Sequence, residues 1–261
     1  MARNFEAKNI IVGAATFYVG QSGVENTKIN VSTSTDTAQD PTKIAPAAGA
    51  SWYHLGYTQN GVTMNIEPTY GEVVVDQLLD IAKMFKSGQR VTVATSLTET
   101  TLENLYVSIG SKTGTSGDLR IQSPLNNDRI ASDLLVRDGF TALDIAGFSS
   151  SAHATYGDGS SSNVAGSAVA VLDINGGALG YEPIERSVCF VGPGPSKLAT
   201  GTQKAERIYI GYRAVSMDPV GMAVQRDNVT LFPVNFRLMP SETNTAQDGN
   251  AAYGKIVDRV Y

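Results

Sequence analysis

The sequence predicts a mainly β protein with one flanking helix, on three observations. Apolar and polar residues alternate in several separate runs. In one, Val62, Met64 and Ile66 interleave with Thr63, Asn65 and Glu67; in another, Val91, Val93, Thr95 and Leu97 interleave with Thr92, Ala94 and Ser96. A period of two marks strands with one buried face. Only one clear stripe has helical spacing, formed by Leu102, Leu105, Tyr106 and Ile109. Charged residues make up only 17% of the 261 residues, so Thr, Ser, Asn, Gln and Gly must cover much of the surface. That balance suits strand-rich proteins and subunits that hide surface in an assembly. The chain is long enough to bury a core without covalent staples.

In chain order, residues 10–19 read as a first strand with Ile11, Gly13, Ala15, Phe17 and Val19 on one face. Residues 20–50 are rich in Ser, Thr, Ala and Asp and contain Pro41 and Pro46. A segment this long without clear periodicity is either a long exposed loop or a hairpin arm, and an extended arm that contacts a neighbour is the favoured reading. The densest local signal lies in 52–110. Asn60-Gly61 is a turn signal, a strand follows from Val62, and Pro68 ends it. A second strand runs from Glu72 to Gln77. Residues 78–86 fit either a short helix, with Leu78, Leu79, Ala82 and Phe85 on one face, or a loop. A third strand covers Val91 to Leu97.

The helix is expected over about 98–110. Thr98 or Thr100 is its N-cap, Thr100 and Glu103 stand at capping-box spacing, and Gly110 stops it. Residues 111–165 are weakly patterned; the region, 126–165 above all, reads as an insertion or long connection within a single domain, with a small subdomain as the alternative. Within that region, 149–162 is low in complexity and reads as an exposed loop. Strands are expected at 168–174, 186–191, 207–216 and 229–239. Pro233 places the last of these at an edge or a bulge. Residues 241–250 form a polar linker, and 253–260 a final strand or docking arm within a C-terminal arm spanning 241–261.

The composition argues against several functions. A net charge of −5, with lysines and arginines scattered singly, does not suit a surface that grips phosphates. The only cysteine, Cys189, lies in the apolar run 188–191 and reads as a buried apolar residue. The first residues lack the apolar core of a signal peptide, and no run approaches a membrane span, which points to a soluble chain made in the cytoplasm. The two histidines, His54 and His153, stand far apart, and no His/Cys/carboxylate spacing suits a metal. Lys112-Thr113-Gly114 has no S-x-x-K partner motif, and the prolines of 192–195 remove the N–H groups a phosphate loop needs. Glu67 and Glu72 as a sugar-hydrolysing pair read more simply as solvated strand positions. The expectation is no catalytic residue, no metal and no cofactor.

Residues 61–105 resemble the major tail tube proteins of long-tailed, siphovirus-type bacteriophages. The similarity lies in an alternating strand entering a Glu-containing turn, V-x-x-D-Q at 73–77, a basic turn, V-T-V at 91–93 and T-L-E-N-L at 101–105. The runs 209–222 and 228–240 resemble that family's closing strands, and 253–256 its end. The likeness covers 52–105 and about 188–260; 20–50 and 126–165 depart from the compact pattern.

The resemblance implies a β-sandwich or barrel with one flanking α-helix and long loops. It also implies hexameric rings stacked into a hollow tube around a tape-measure protein. Tail terminator and tail-tip proteins are then further partners, and double-stranded DNA passes through without specific binding. The protein would be part of the virion, in the phage tail. On that reading Glu67, Glu72 and Asp76 face the lumen and repel phosphates, while Leu102, Leu105, Tyr106 and Ile109 pack the helix onto the core. The alternatives are another phage-derived tube or hub ring component, or a carbohydrate-binding β-sandwich that decorates the particle.

Overall fold

The computed structural model describes residues 11–45, 52–76, 80–99, 102–109, 119–122, 153–156, 160–163, 171–174, 183–195, 199, 201–217, 221, 229–241, 243–246 and 249–261. The fold is mainly β. Eight strands form one antiparallel sheet: β1 (Thr16–Ser22), β2 (Trp52–His54), β3 (Thr58–Val74), β4 (Ile81–Leu97), β9 (Arg186–Pro193), β10 (Ala205–Ser216), β11 (Phe232–Met239) and β12 (Gly254–Val260). The helix α1 (Leu102–Ile109) follows β4. Two separate pairs complete the strands: β5 (Leu119–Gln122) with β8 (Val171–Ile174), and β6 (His153–Tyr156) with β7 (Ser160–Asn163). Apart from Asn163, the β6–β7 pair lies inside the stretch 149–162 expected as a loop. No helix among the described residues is long and apolar enough to cross a membrane.

Strand order in the sheet is β2-β1-β9-β10-β11-β4-β3, and β12 lies against the first half of β10. The two ends of this path, β2 and β3, are consecutive in the chain. Only residues 55–57 join them, a span of at most about 14 Å. The sheet must therefore curl until its ends meet, as in a sandwich or barrel. The ring of Phe17 on β1 stacks 6.0 Å from that of Phe236 on β11, although two strands separate them in the sheet. The interior is filled by Phe17, Val19, Val91, Val93, Leu97, Val188, Phe190, Phe232, Val234, Phe236 and Leu238. Thr98 donates its hydroxyl and its N–H to the Tyr57 carbonyl, so it fastens the joining corner instead of capping α1. Thr100 and Gly110 lie outside the described residues. Asn104, buried on α1, donates to the carbonyls of Leu55 and Glu99 and ties the helix to the same corner. Leu105 is buried and Ile109 packs on the core, as expected, but Val107, which the predicted stripe omits, is buried more deeply than either. The side chains of Leu102 and Tyr106 lie outside the described ones.

The opposite face of β1, β9 and β10 carries a second core of Tyr18, Cys189, Val191, Ile208, Ile210 and Tyr212. The segment 24–45 covers it, with Ala38 fully buried and Ile29, Val31 and Ile44 packed beside it. The expected contact arm thus closes its own subunit. Its anchor is Glu206, a carboxylate with no exposed surface. Glu206 accepts from the Thr37 hydroxyl (2.7 Å), the Ala38 N–H (2.9 Å) and the Arg259 guanidinium (3.1 Å). Arg259 also donates to the carbonyls of Ser34 and Asp36. A second clasp joins the arm to 241–244: Glu25 accepts from Ser241, Thr243 and Asn244.

Several boundaries differ from the sequence reading. The first strand begins at Thr16, and residues 11–15 are not strand. Pro68 does not end a strand: β3 runs through it without a break, opposite Gln89. β3 is the last strand of the sheet, where half the N–H groups point away from any partner and a proline is tolerated. Asn60 and Gly61 are not a hairpin turn. Both have positive φ (66° and 74°), but they form a bulge between Gln59 and Val62, and Thr95 donates its hydroxyl to the Gly61 carbonyl. Residues 81–86, weighed as helix or loop, are the first third of β4. Among the described residues Pro233 has a strand partner on the β4 side alone, opposite Ser96, since the β10–β11 pairing begins at Phe236.

Candidate functional site

The feature that stands apart from the closed body is the outer half of the β3–β4 pair. Each strand is 17 residues long, yet they leave the body at about Ile66 and Val91. Beyond that point a two-stranded ribbon extends for about 25 Å. Every residue in 66–74 and 81–90 is exposed except Gly71 and Gln89, which are half-buried. Seven of the fourteen large apolar side chains exposed among the described residues lie here: Ile66, Tyr70, Val73, Val74, Ile81, Met84 and Phe85. Both faces are partly apolar. Tyr70, Val74 and Met84 share one face, and Val73 and Phe85 the other, by strand alternation and register. Phe85 lies over Gly71, which leaves room for the ring.

The ribbon also carries the acidic residues singled out in the sequence, but it does not bring them together. Glu67 and Glu72 are five residues apart on one unbroken strand, so they point to opposite faces. Asp76 is in the turn beyond the strand. Arg90 stands opposite Glu67 in register, and Lys83 and Lys86 flank the position opposite Glu72. Over 67–90 the four carboxylates Glu67, Glu72, Asp76 and Asp80 meet the three cations Lys83, Lys86 and Arg90. The ribbon is close to neutral, not an acidic wall. The opposite faces also remove Glu67 and Glu72 as a pair flanking one sugar bond.

Two concavities adjoin the pair. One, of about 470 Å³, lies on the outer face of β3, β4 and β11, where Gln59, Asn60, Thr63, Ser96 and Asn235 offer amides and hydroxyls. The other, of about 630 Å³, is apolar and lies near the ribbon's root. Neither contains a nucleophile beside a general base. Among the described residues no group of three or more His, Cys, Asp or Glu side chains is placed to hold a metal. Burial holds the Cys189 thiol far above its ordinary range, and the negative charge of Glu206 adds to the effect, so the sulfur stays protonated and inert. His54 is exposed, and its Nδ1 accepts from the Gly56 N–H. His153 is the first residue of β6.

The sequence reading missed the apolar ribbon residues Tyr70 and Met84, and placed on a helical face Phe85, which belongs to β4. It also missed the buried Glu206 and its half-buried partner Arg259. In the ribbon both faces are partly apolar, which erases the period of two that marks a half-buried strand. Glu206 has no local signal at all, since its partners come from the arm and from β12. No protein-family profile and no curated protein sequence matches this chain.

Proposed function

We propose that this chain is a self-assembling structural subunit, the major tail tube protein of a long-tailed phage. On this reading its hexameric rings stack around a tape-measure protein into a hollow conduit for DNA. The observation that supports assembly is the projecting ribbon. A two-stranded hairpin without a covering layer is marginal in water, and a contiguous exposed apolar patch marks an interaction surface. A ribbon partly apolar on both faces calls for cover on both faces, as it would have when inserted between neighbouring subunits. Among the described residues β3 and β12 each pair with a strand on one side only, and such edges offer backbone groups that a neighbour can satisfy.

The lumen is assigned to the outer face of β3 and β4, with Thr63, Asn65, Glu67, Arg90 and Ser96. Among the acidic candidates Glu67 stays on this face, and Glu72 belongs to the other. The wall is then mostly hydroxyl and amide with balanced charge. DNA would pass because few cations hold phosphates, more than because carboxylates repel them. The terminator and tail-tip proteins would meet the two ends of such a tube.

Negative-stain microscopy of the purified chain tests the reading. Tubes of uniform diameter are the expected result. Isolated rings at every concentration would favour a hub or ring component, and persistent monomers would end the proposal.

A further inference from the structure

A ribbon that inserts needs a receptor, and the same molecule carries a surface of matching chemistry. The apolar groove of about 630 Å³ is lined by Val215, Met217, Leu238, Met239, Pro240 and Tyr253. It opens where β11 runs past its last partner on β4, the pair Leu238 and Val91. The Tyr253 hydroxyl donates to the Gln89 carbonyl and ties this wall to the ribbon's root. Met217 is exposed at its edge. The volume falls within the roughly 300–1,000 Å³ of sites that take compact organic ligands, enough for two large side chains. Arg237 also lines the groove, is exposed, and has no carboxylate paired with it among the described residues.

We infer that this groove receives the tip of the β3–β4 ribbon from a second copy of the chain, with Val74 and Met84 entering the apolar floor and Arg237 meeting the carboxylates of Asp76 and Asp80. Val74 is among the most exposed apolar side chains of the ribbon, and Met84 shares its face. Asp76 and Asp80 flank the turn just beyond them, so the charge follows the apolar pair into the site. Tip and root are separated by the length of a paired ribbon, so one copy cannot fill its own groove. The contact is head-to-tail: each copy gives a tip and receives one. Repetition of such a contact closes a ring or runs on as a filament. This inference rests on the assembly reading and names the surface that assembly uses.

The test is a charge exchange followed by sedimentation velocity at low salt. Arg237→Glu alone and Asp76→Lys with Asp80→Lys are each expected to weaken assembly at least tenfold, while the combined variant recovers to within a few-fold of the native chain. All three positions lie at the surface, so circular dichroism should show intact folding. Met217→Trp, which fills the groove, is expected to block assembly of an otherwise folded subunit. If the native chain assembles but the charge losses add without recovery and the groove-filling variant assembles normally, the groove assignment is overturned and the tube reading survives. If the native chain stays monomeric at every concentration, both are lost.

Discussion

Arg90 and Val91 are adjacent in β4, yet they belong to different physical regimes. From Val91 to Leu97 the strand lies between β11 and β3 and buries Val91, Val93 and Leu97 in the closed sheet. From Ile81 to Arg90 the same strand has β3 as its only strand neighbour among the described residues and leaves Phe85 half exposed. Ladder geometry is continuous across the boundary, apart from bulges. What changes is the removal of apolar surface from water, which drives folding of the inner half at roughly 25 cal/mol per Å² and gives the outer half little. The inner half is stabilised by its own subunit. The outer half has apolar area left over for another molecule. A substitution should therefore act on stability in one half and on association in the other.

The largest separation is expected between two phenylalanines. Phe236 is buried and stacks on Phe17. Phe236→Ala should cost about 3–5 kcal/mol in urea unfolding. Phe85→Ala should leave monomer stability within about 0.5 kcal/mol and weaken assembly instead. Equal losses of stability at the two sites would break the distinction.

The two regimes also explain what the sequence made legible. The inner strands keep a strict alternation because one face is buried and the other is polar, so Val62 to Ile66, Val91 to Leu97 and Phe232 to Leu238 were readable as strands. The ribbon 81–86 was not, because apolar residues on both faces imitate a helical stripe. Asn60 and Gly61 signalled a left-handed backbone correctly, but nothing local tells a bulge from a hairpin turn. Pro68 marked an edge strand and was mistaken for a strand end. Thr98 has the chemistry of an N-cap, and only the three-dimensional corner at 55–57 gives its hydroxyl a different partner. The arm's role depends on Glu206 and Arg259, more than 160 residues away from it in the chain, and no pattern within the arm encodes that.

The next effect concerns the arm. Glu206→Ala leaves Arg259 without its buried partner and frees Thr37 and the Ala38 N–H. The arginine left behind is partly exposed, so the loss is mainly that of hydrogen bonds to a charged group, about 1.5–3 kcal/mol. The single cysteine makes this visible, because Cys189 lies in the core that the arm covers. Its reaction with a thiol reagent should be slow in the native chain and clearly faster in the variant, under conditions where the sheet stays folded. Unchanged thiol reactivity together with unchanged stability would show that the arm is held by its apolar contacts alone. Deleting the arm altogether should give aggregation, since it uncovers Tyr18, Val191, Ile208 and Ile210.

A smaller effect, of order 1 kcal/mol, is expected from the second clasp and should depend on pH. Desolvation raises the Glu25 pKa, but the hydrogen bonds from Ser241, Thr243 and Asn244 and the charge of Arg213 outweigh it, so the group ends below its ordinary value of 4.5. A carboxyl with a lowered folded-state pKa adds stability that is full above its unfolded value and fades as pH falls through the folded one. Asp258, held down mainly by its hydrogen bond from Arg207, acts in the same direction. Urea midpoints should therefore drop as pH falls from about 4.5, and Glu25→Gln should make the drop shallower. An equally steep drop in the variant would move the acid sensitivity elsewhere.

The smallest effect on folding is expected at Gly71, and it gives the finest test of the ribbon. Gly71 faces Phe85 across the two strands, and a Cβ added there would stand 2.6 Å from the Phe85 Cζ. The far end of a half-exposed ring can swing away at little cost, and alanine removes the entropy penalty of glycine in a strand. Gly71→Ala should therefore leave monomer stability within about 0.5 kcal/mol. The ring, however, can no longer lie over position 71. If a neighbour covers this face of the ribbon, assembly should weaken several-fold although the side chain that makes the contact is still present. If Gly71→Ala and Phe85→Ala both assemble like the native chain, only the Tyr70, Val74 and Met84 face is covered, and the ribbon lies on its neighbour instead of being inserted between two.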